Sequence, residues 1–383
     1  MSGYKVIIVE EIFAEYRQAQ MSPIITFGRI YPEEKLIQVL STNPLPQLVC
    51  VGCVKRCSGE ATNSPAIFSI SNGSQYLFEP AHNMEIKSIK VVSYSQEFLL
   101  RMNGIVDADV ISKKCISIIG LGTIGSELTI KLAQTGVGYF NLVDMDTFEL
   151  SNVCRHASDL FGLGRQKTAV VADLIRHRNP QAQIVSYSAD FTKLDSDERE
   201  DFVRGSDLLI AATDSPAAQF AANETAFNLG IPAIFVGAYE NGYVGEIVYT
   251  IPDFTQACYQ CIAGFRQENE NNAKLKERRK PYSNEDENKN DAVPGLAIDV
   301  SYIIAVISAF ILSLLDISPL RNVLLRPDKN VLLIQTGNRP VGEFANVFAH
   351  PFSVAYADVE IDPICPICHK EEYIANMKEK MNA

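Results

Sequence analysis

The sequence predicts an α/β fold: a doubly wound, mainly parallel sheet with a β-rich (α+β) amino-terminal domain appended. Three observations carry that expectation. Residues before about 93 form short β-type runs separated by turn residues; beyond 115, apolar strand-like and helix-like runs alternate; and the first of those later strands (Ile116, Ile118, Ile119) runs straight into Gly120, Gly122 and Gly125. At 383 residues the chain has room for about two domains of roughly 150 residues each.

In chain order, the β-type runs are Val6–Val9, Ile24–Phe27, Leu36–Val39, Leu48–Val51, Ile67–Ile70, Tyr76–Phe78 and Ile86–Val92, with Ser71-Asn72-Gly73-Ser74 a typical turn. They define an accessory domain over residues 1–93 and leave 94–383 for the second domain. A helical connector is expected over Ser93–Ile111. Next come a strand ending at Ile119, a helix carrying Leu128, Ile130, Leu132 and Ala133, a strand Phe140–Val143, a helix Thr168–His177, and strands Ile184–Tyr187 and Leu208–Ala211. Residues 267–290 are charged and asparagine-rich, too poor in apolar groups to offset the entropy of ordering, so 265–294 is expected to be a mobile crossover loop. The apolar run Val300–Leu315 holds 16 residues, short of the roughly 20 a spanning helix needs, and is expected to be a buried core helix.

A hydrophobic fraction of 47%, a charged fraction of 21% and a net charge of −12 fit a soluble globular chain and argue against nucleic acid as its main partner. Met1-Ser2-Gly3-Tyr4-Lys5 leads directly into a strand-like run, so the expected location is cytoplasmic, with no membrane partner.

The glycine run after a strand is the turn that lets backbone N–H groups approach a phosphate at a helix N-terminus, and Asp144, about 20 residues on, suits ribose hydroxyls. Dehydrogenases share this much. Asp144 and Asp146, however, lead into Ser151-Asn152-Val153-Cys154-Arg155-His156 and then Gly164-Arg165-Gln166-Lys167. The cations Arg155 and Lys167 suit a triphosphate, and a nicotinamide enzyme has no use for them. Their alternative is a solvated basic face. Asp214, before Ser215-Pro216, is read either as a magnesium ligand or as a helix cap. His156 and His177 border these residues and are taken as structural.

Nine cysteines in such a chain point to metal or chemistry before disulfides. Cys258-Tyr-Gln-Cys261 and Cys365-Pro-Ile-Cys368, with 103 residues between the pairs, suit four thiolates on one tetrahedral zinc. The haem-attachment reading of Cys365–His369 would leave the first pair unexplained. Cys50, Cys53 and Cys57 would need a fourth ligand such as His82 for a second zinc, and ordinary packed or free thiols are preferred.

Gly-Leu-Gly-Thr-Ile-Gly (120–125), Asp-Met-Asp-Thr-Phe-Glu-Leu-Ser-Asn-Val-Cys-Arg (144–155), Gly-Arg-Gln-Lys (164–167), Asn179-Pro180, Ala-Ala-Thr-Asp (211–214) and the two cysteine pairs resemble, in order and over roughly three quarters of the chain, the ThiF/MoeB-like family of ubiquitin-like-protein activating enzymes. The resemblance implies a Rossmann-like adenylation domain and ATP-dependent adenylation of a C-terminal carboxylate, with Mg²⁺ and a structural Zn²⁺. It also implies a homodimer whose partners are a ubiquitin-like protein ending in glycine and a conjugating enzyme, as in bacterial ubiquitin-like conjugation operons. Carried over by position, Gly120, Gly122, Gly125 and Asp146 belong to the nucleotide site, Asp144 takes the ribose, Asn152 and Arg155 the phosphates, Lys167 the phosphates and carboxylate, and Asp214 the Mg²⁺. Arg155, Lys167 and Asp214 are the catalytic group.

Two departures stand out. Ser93-Tyr94-Ser95-Gln96-Glu97 occupies the place of an arginine-bearing segment that reaches across the dimer in many members, and Arg101 lies one turn further on. Residues 262–364 contain no cysteine, so a thioester on this chain would fall to another thiol, Cys154 being the candidate against its reading as a small packing residue. Three rivals share the glycine turn: a sulfur-carrier adenylyltransferase, a microcin-type enzyme adenylating a short peptide, and an NAD-dependent oxidoreductase.

Overall fold

The computed structural model describes residues 3–12, 23–44, 48–57, 64–98, 100–255, 257–263, 295–315, 326, 328–337, 347–348, 350–369 and 371–372. The expected crossover loop, 265–294, lies outside the described residues. The chain divides into two compact units, Met1–Asn103 and Gly104–Ala383.

The first unit is a seven-stranded mixed sheet built from β1 (Tyr4–Val9), β2 (Ile24–Tyr31), β3 (Leu36–Ser41), β4 (Val49–Arg56), β5 (Ile67–Ser69), β6 (Gln75–Pro80) and β7 (Ile86–Val92), in the order β5-β6-β4-β2-β3-β1-β7. Alternation decides which face is buried: Val6 and Ile8, Ile37 and Val39, and Tyr76 and Phe78 are i, i+2 pairs, and all six join one apolar cluster. Instead of a continuous connector, residues 93–111 form one-turn helices at Tyr94–Glu97 and Ala108–Ile111 with a 3₁₀ turn at Leu100–Met102 between them. The second of these helices is capped by the Asp107 carboxylate, which accepts from Asp109 N and Val110 N. Arg101 sits exposed on the 3₁₀ turn.

The second unit holds an eight-stranded sheet: β8 (Cys115–Ile119), β9 (Tyr139–Val143), β10 (Gln183–Tyr187), β11 (Leu208–Ala211), β12 (Ala233–Tyr239), β13 (Val244–Thr250), β14 (Val331–Gln335) and β15 (Val354–Ala357). Their order is β10-β9-β8-β11-β12-β13-β14-β15. The first five pair in parallel and the last three continue antiparallel.

The longer helices are α1 (Thr123–Gln134), α2 (Lys167–Arg178), α3 (Ser196–Val203), α4 (Pro216–Leu229) and α5 (Ala297–Leu314). Both faces of the sheet are covered. Ile116, Ile118, Phe140, Leu142, Leu208 and Ile210 pack with Leu128, Leu132, Ile175, Ile303 and Phe310 of α1, α2 and α5, while Ile119, Val143, Leu209 and Ala211 pack with Phe202 of α3 and Ala222 of α4. Helices on both faces of a mainly parallel sheet make the unit doubly wound. Helix α5 is apolar and long enough to cross a membrane by length and composition, yet Val300, Ile303, Ile307, Phe310 and Ile311 are core residues.

The strand order places the site. Chain connections leave β8 toward β9 on one side and reach β11 on the other, so the carboxyl ends of β8, β9 and β11 border the crevice where open α/β sheets take ligands.

Candidate active site

Gly120 follows β8 with φ +87°, and a Cβ there would lie 2.6 Å from the Ala212 carbonyl oxygen just past β11. A Cβ on Gly125 would lie 2.0 Å from the Gly120 oxygen. Both positions demand glycine to bring turn, helix and strand together. Gly122 is different. It stands at the N-cap of α1 with no side-chain capping bond, and a Cβ there would meet no atom within 4 Å, so its missing side chain leaves room for a ligand over the helix N-terminus.

Asp144, just past β9, closes on this turn: its Oδ2 accepts from Leu121 N at 2.6 Å and its Oδ1 from Asp146 N at 2.8 Å. Burial pushes the Asp144 carboxyl above the ordinary aspartate range, against Lys167 and the two N–H donors, which favour the charged form. The Asp146 carboxylate in turn receives Lys167 Nζ at 2.7 Å, and the Asp146 carbonyl accepts from Lys167 N at 3.0 Å. Lys167 opens α2 and is only 9% exposed. Three bonds therefore join the glycine turn to this buried ammonium.

Asn152 spends its side-chain amide oxygen locally, Oδ1 accepting from Glu149 N at 3.0 Å. Arg155 and Lys167 both act electrostatically on His156, which is buried, lies edge-on to Phe148 (centroids 5.9 Å apart) and whose pKa is pushed down to about 3 by burial and by those cations. Cys154 is exposed, with Sγ donating to the Ser151 carbonyl at 3.3 Å. That exposure corrects its reading as a packing residue. Asp214 is exposed three residues beyond β11, and the cap of α4 is Ser215, whose hydroxyl accepts from Ala218 N, with Pro216 in the first turn. The capping role considered for Asp214 thus belongs to its neighbour.

Other parts of the motifs are structural. Arg165 turns onto Asp173 of α2. Asn179 is buried at the end of that helix, donating to the Val137 carbonyl at 2.9 Å and accepting from Gln181 N.

The four cysteines of the two pairs converge, with all four sulfurs within 4.8 Å of one another. Cys258–Cys261, Cys258–Cys365 and Cys261–Cys368 stand 3.9, 3.6 and 3.5 Å apart. Tetrahedral thiolates about 2.3 Å from zinc lie roughly 3.8 Å from each other, so the set fits that ion. Close contact with the sulfurs of Cys261, Cys365 and Cys368 holds the Cys258 thiol well below the usual range. Asn223 of α4 supports it, donating to Cys258 Sγ at 3.6 Å and accepting from Tyr259 N at 3.0 Å. No second group of this kind, at Cys50, Cys53, Cys57 and His82 or elsewhere, occurs among the described residues. Cys53 instead donates to Glu79 at 3.6 Å.

The model of the ThiF family matches residues 94–333. The chain belongs to the ThiF family. Among curated relatives, ubiquitin-like modifier-activating enzyme 5 of Dictyostelium discoideum is 30% identical over 194 residues, covering 48% of this chain and 51% of that protein. The sulfur carrier protein ThiS adenylyltransferase of Escherichia coli is 29% identical over 184 residues, covering 47% of this chain and 70% of that one. The chain thus spans about half the length of the first of these. Similar folds are seen in E. coli MccB solved with AMPCPP and MccA (TM-score 0.50, 19% identity, 68% of each chain) and in PaaA (TM-score 0.50, 18% identity, 70% of this chain and 82% of that one). This ThiF-family membership agrees with the resemblance carried by the sequence motifs, and none of these relatives is named as an oxidoreductase.

Proposed function

We propose that this chain uses ATP to adenylate the C-terminal carboxylate of a ubiquitin-like protein ending in glycine, readying the acyl group for transfer to the thiol of a conjugating enzyme. The observation that carries this reading is the chain of bonds from Leu121 through Asp144 and Asp146 to Lys167, which hangs a buried cation beside a glycine turn at the head of a helix. A carboxylate approaching an α-phosphate brings two anions together, and the protein must neutralise them and hold the line of attack.

In that reading the turn at Gly120, Gly122 and Gly125 receives the phosphates, Asp144 the ribose hydroxyls, and Asn152, through its amide NH₂, and Arg155 the phosphate oxygens. Lys167 exchanges its contact with Asp146 for the α-phosphate and the incoming carboxylate. The new bond joins the carboxylate oxygen to the α-phosphorus, the bond to the bridging oxygen breaks, and pyrophosphate leaves without a proton transfer. Asp214 would hold Mg²⁺, which offsets phosphate charge, and the four cysteines would hold a structural Zn²⁺.

We place the protein in the cytoplasm, where four clustered thiols stay reduced, and assign residues 1–93 to recognition of the modifier or its acceptor. A homodimer is proposed on the exposed apolar side chains of Leu150, Leu160, Phe161 and Leu163 on the loops beside the site. Light scattering of the purified protein tests it.

The deciding experiment mixes the protein with Mg-ATP and proteins ending in Gly-Gly. Exchange of pyrophosphate into ATP and a carboxyl-terminal AMP adduct in the mass spectrum are expected. ATP turnover with a sulfur carrier or short peptide alone would move the substrate assignment to one of the rivals, and failure to bind ATP would overturn the reading.

A further inference from the structure

His156 is given no task by the adenylation chemistry, yet its surroundings are those of a binding group. With residues of α1 and α5 it lines a cavity of about 90 Å³, shared with Thr123 at the head of α1, Glu127, Cys154, Arg155 and Ser301. The residue is nine-tenths buried, and its Nδ1 is shut off from solvent with no hydrogen-bond partner among the described residues. An orphaned buried N–H is rarer than an under-used acceptor, so the ring proton belongs on Nε2.

The charged and titratable groups around the ring are Arg155 on its own loop, Lys167 at the head of α2, Asp146 past β9, and Glu127 and Cys154 on the cavity wall; α5 presents the neutral Ser301. The cations oppose a second proton and Asp146 favours one. Burial sides with the cations.

We propose that His156 is a further ligand-contacting residue of this site, a neutral Nε2–H donor that hydrogen-bonds an oxyanion held by Arg155 and Lys167. The oxyanion is a phosphate oxygen of the nucleotide or the carboxylate oxygen that becomes the carbonyl of the acyl-adenylate. The proposal rests on the adenylation reading above. Charge attraction from two flexible cations has little direction, whereas one donor on a ring wedged against Phe148 fixes orientation without adding charge to the pocket.

Two probes separate the sources: Mg-ATP, and glycyl-sulfamoyladenosine as a stable mimic of the acyl-adenylate. His156→Phe keeps an aromatic ring against Phe148 and removes the donor, while His156→Gln restores one. Loss of a hydrogen bond to a charged oxygen is expected to weaken binding about 10- to 100-fold in His156→Phe, with recovery in His156→Gln. Weakening for Mg-ATP, with or without the acyl mimic whose sulfamoyl group stands in for the α-phosphate, assigns a phosphate oxygen, and weakening for the acyl mimic alone assigns the carbonyl. In wild-type protein, nitrogen-detected spectra of the ring should show the Nε2–H tautomer, and its Nε2 signal should move when a probe binds. Unchanged affinities for both probes with an unmoved ring signal overturn the proposal and leave the adenylation reading standing. Wild-type protein that binds neither probe sinks both. The ring spectra need no substitution, so a poorly folding variant does not remove the test.

Discussion

Lys167 is held by Asp146 twice, through a 2.7 Å contact of its ammonium with the carboxylate and a 3.0 Å hydrogen bond from its backbone N–H to the carbonyl. The pair is lopsided: the lysine side chain is 11% exposed and the aspartate 54%. Water screens the aspartate end, so the contact adds little stability, on the order of 1 kcal/mol or less, and under the adenylation reading a phosphate would take the ammonium over. Lys167→Ala should therefore leave the unfolding midpoint nearly unchanged while lowering pyrophosphate exchange by about 10²-fold or more. Exchange kinetics beside a melting curve checks this, and full activity in the variant would contradict the assignment.

Gly122 and Gly125 lie one turn apart and answer differently to the same methyl group. Gly125→Ala puts a Cβ 2.0 Å from the Gly120 carbonyl, an overpacking expected to cost roughly 1–3 kcal/mol. Gly122→Ala meets open space, so its stability should stay within about 0.5 kcal/mol of wild type while ATP binding weakens, because the methyl occupies the room proposed for a phosphate. Denaturant titration and calorimetry on both variants separate folding from binding.

Metal analysis should find one zinc per chain, as expected for four convergent sulfurs. Cys365→Ser, or prolonged chelation, should release it and lower stability by roughly 5 kcal/mol or more, since most of the affinity of a structural zinc is folding energy. Two zincs per chain would bring the Cys50, Cys53 and Cys57 group back into consideration.

The buried imidazole of His156 makes stability depend on acidity. Its folded pKa is about 3, below the ordinary histidine value of 6.5, so the unfolded chain binds the extra proton first. Its contribution is complete above about pH 6.5 and is lost as pH falls toward 3, at up to roughly 1.4 kcal/mol per pH unit. Asp144, whose carboxyl is pushed up by burial, works in the opposite sense within that range, so the comparison must be between variants. His156→Phe should lose less stability than wild type between pH 7 and 5, measured by urea unfolding at each pH.

Much of this was legible in the residues alone because apolar periodicity and glycine placement are local signals. The strands around Ile116–Ile119 and Phe140–Val143 and the helix after Gly122 follow from them directly. The connector over 93–111 is less regular than expected: Asp107 starts a fresh capped turn there, and local capping overrides a helical average. Asp214 and Ser215 both suit an N-cap, and only the backbone dihedrals decide for Ser215. His156 reads as structural in a linear pattern, because nothing there reports that the ring is enclosed, lies near two cations and has an Nδ1 without a hydrogen-bond partner among the described residues. The four-cysteine centre was visible because two-residue spacing imposes its own geometry; the Asn223 support arises from a distant helix and leaves no such mark.

The sulfur cluster also sets an order on biosynthesis. Cys258 and Cys365 lie 107 positions apart, so at about 5–20 residues per second a ribosome needs roughly 5–20 s to deliver the second pair after the first. Over that interval Cys258 and Cys261 wait with half a ligand set, and β13 waits for the two carboxyl-terminal strands that extend the sheet beyond it. The nascent unit is then open to stray oxidation and premature association, and with the zinc proposed above its final closure would depend on metal as well as on chain length. Under the zinc reading, cells short of zinc should clear more of this protein before it matures.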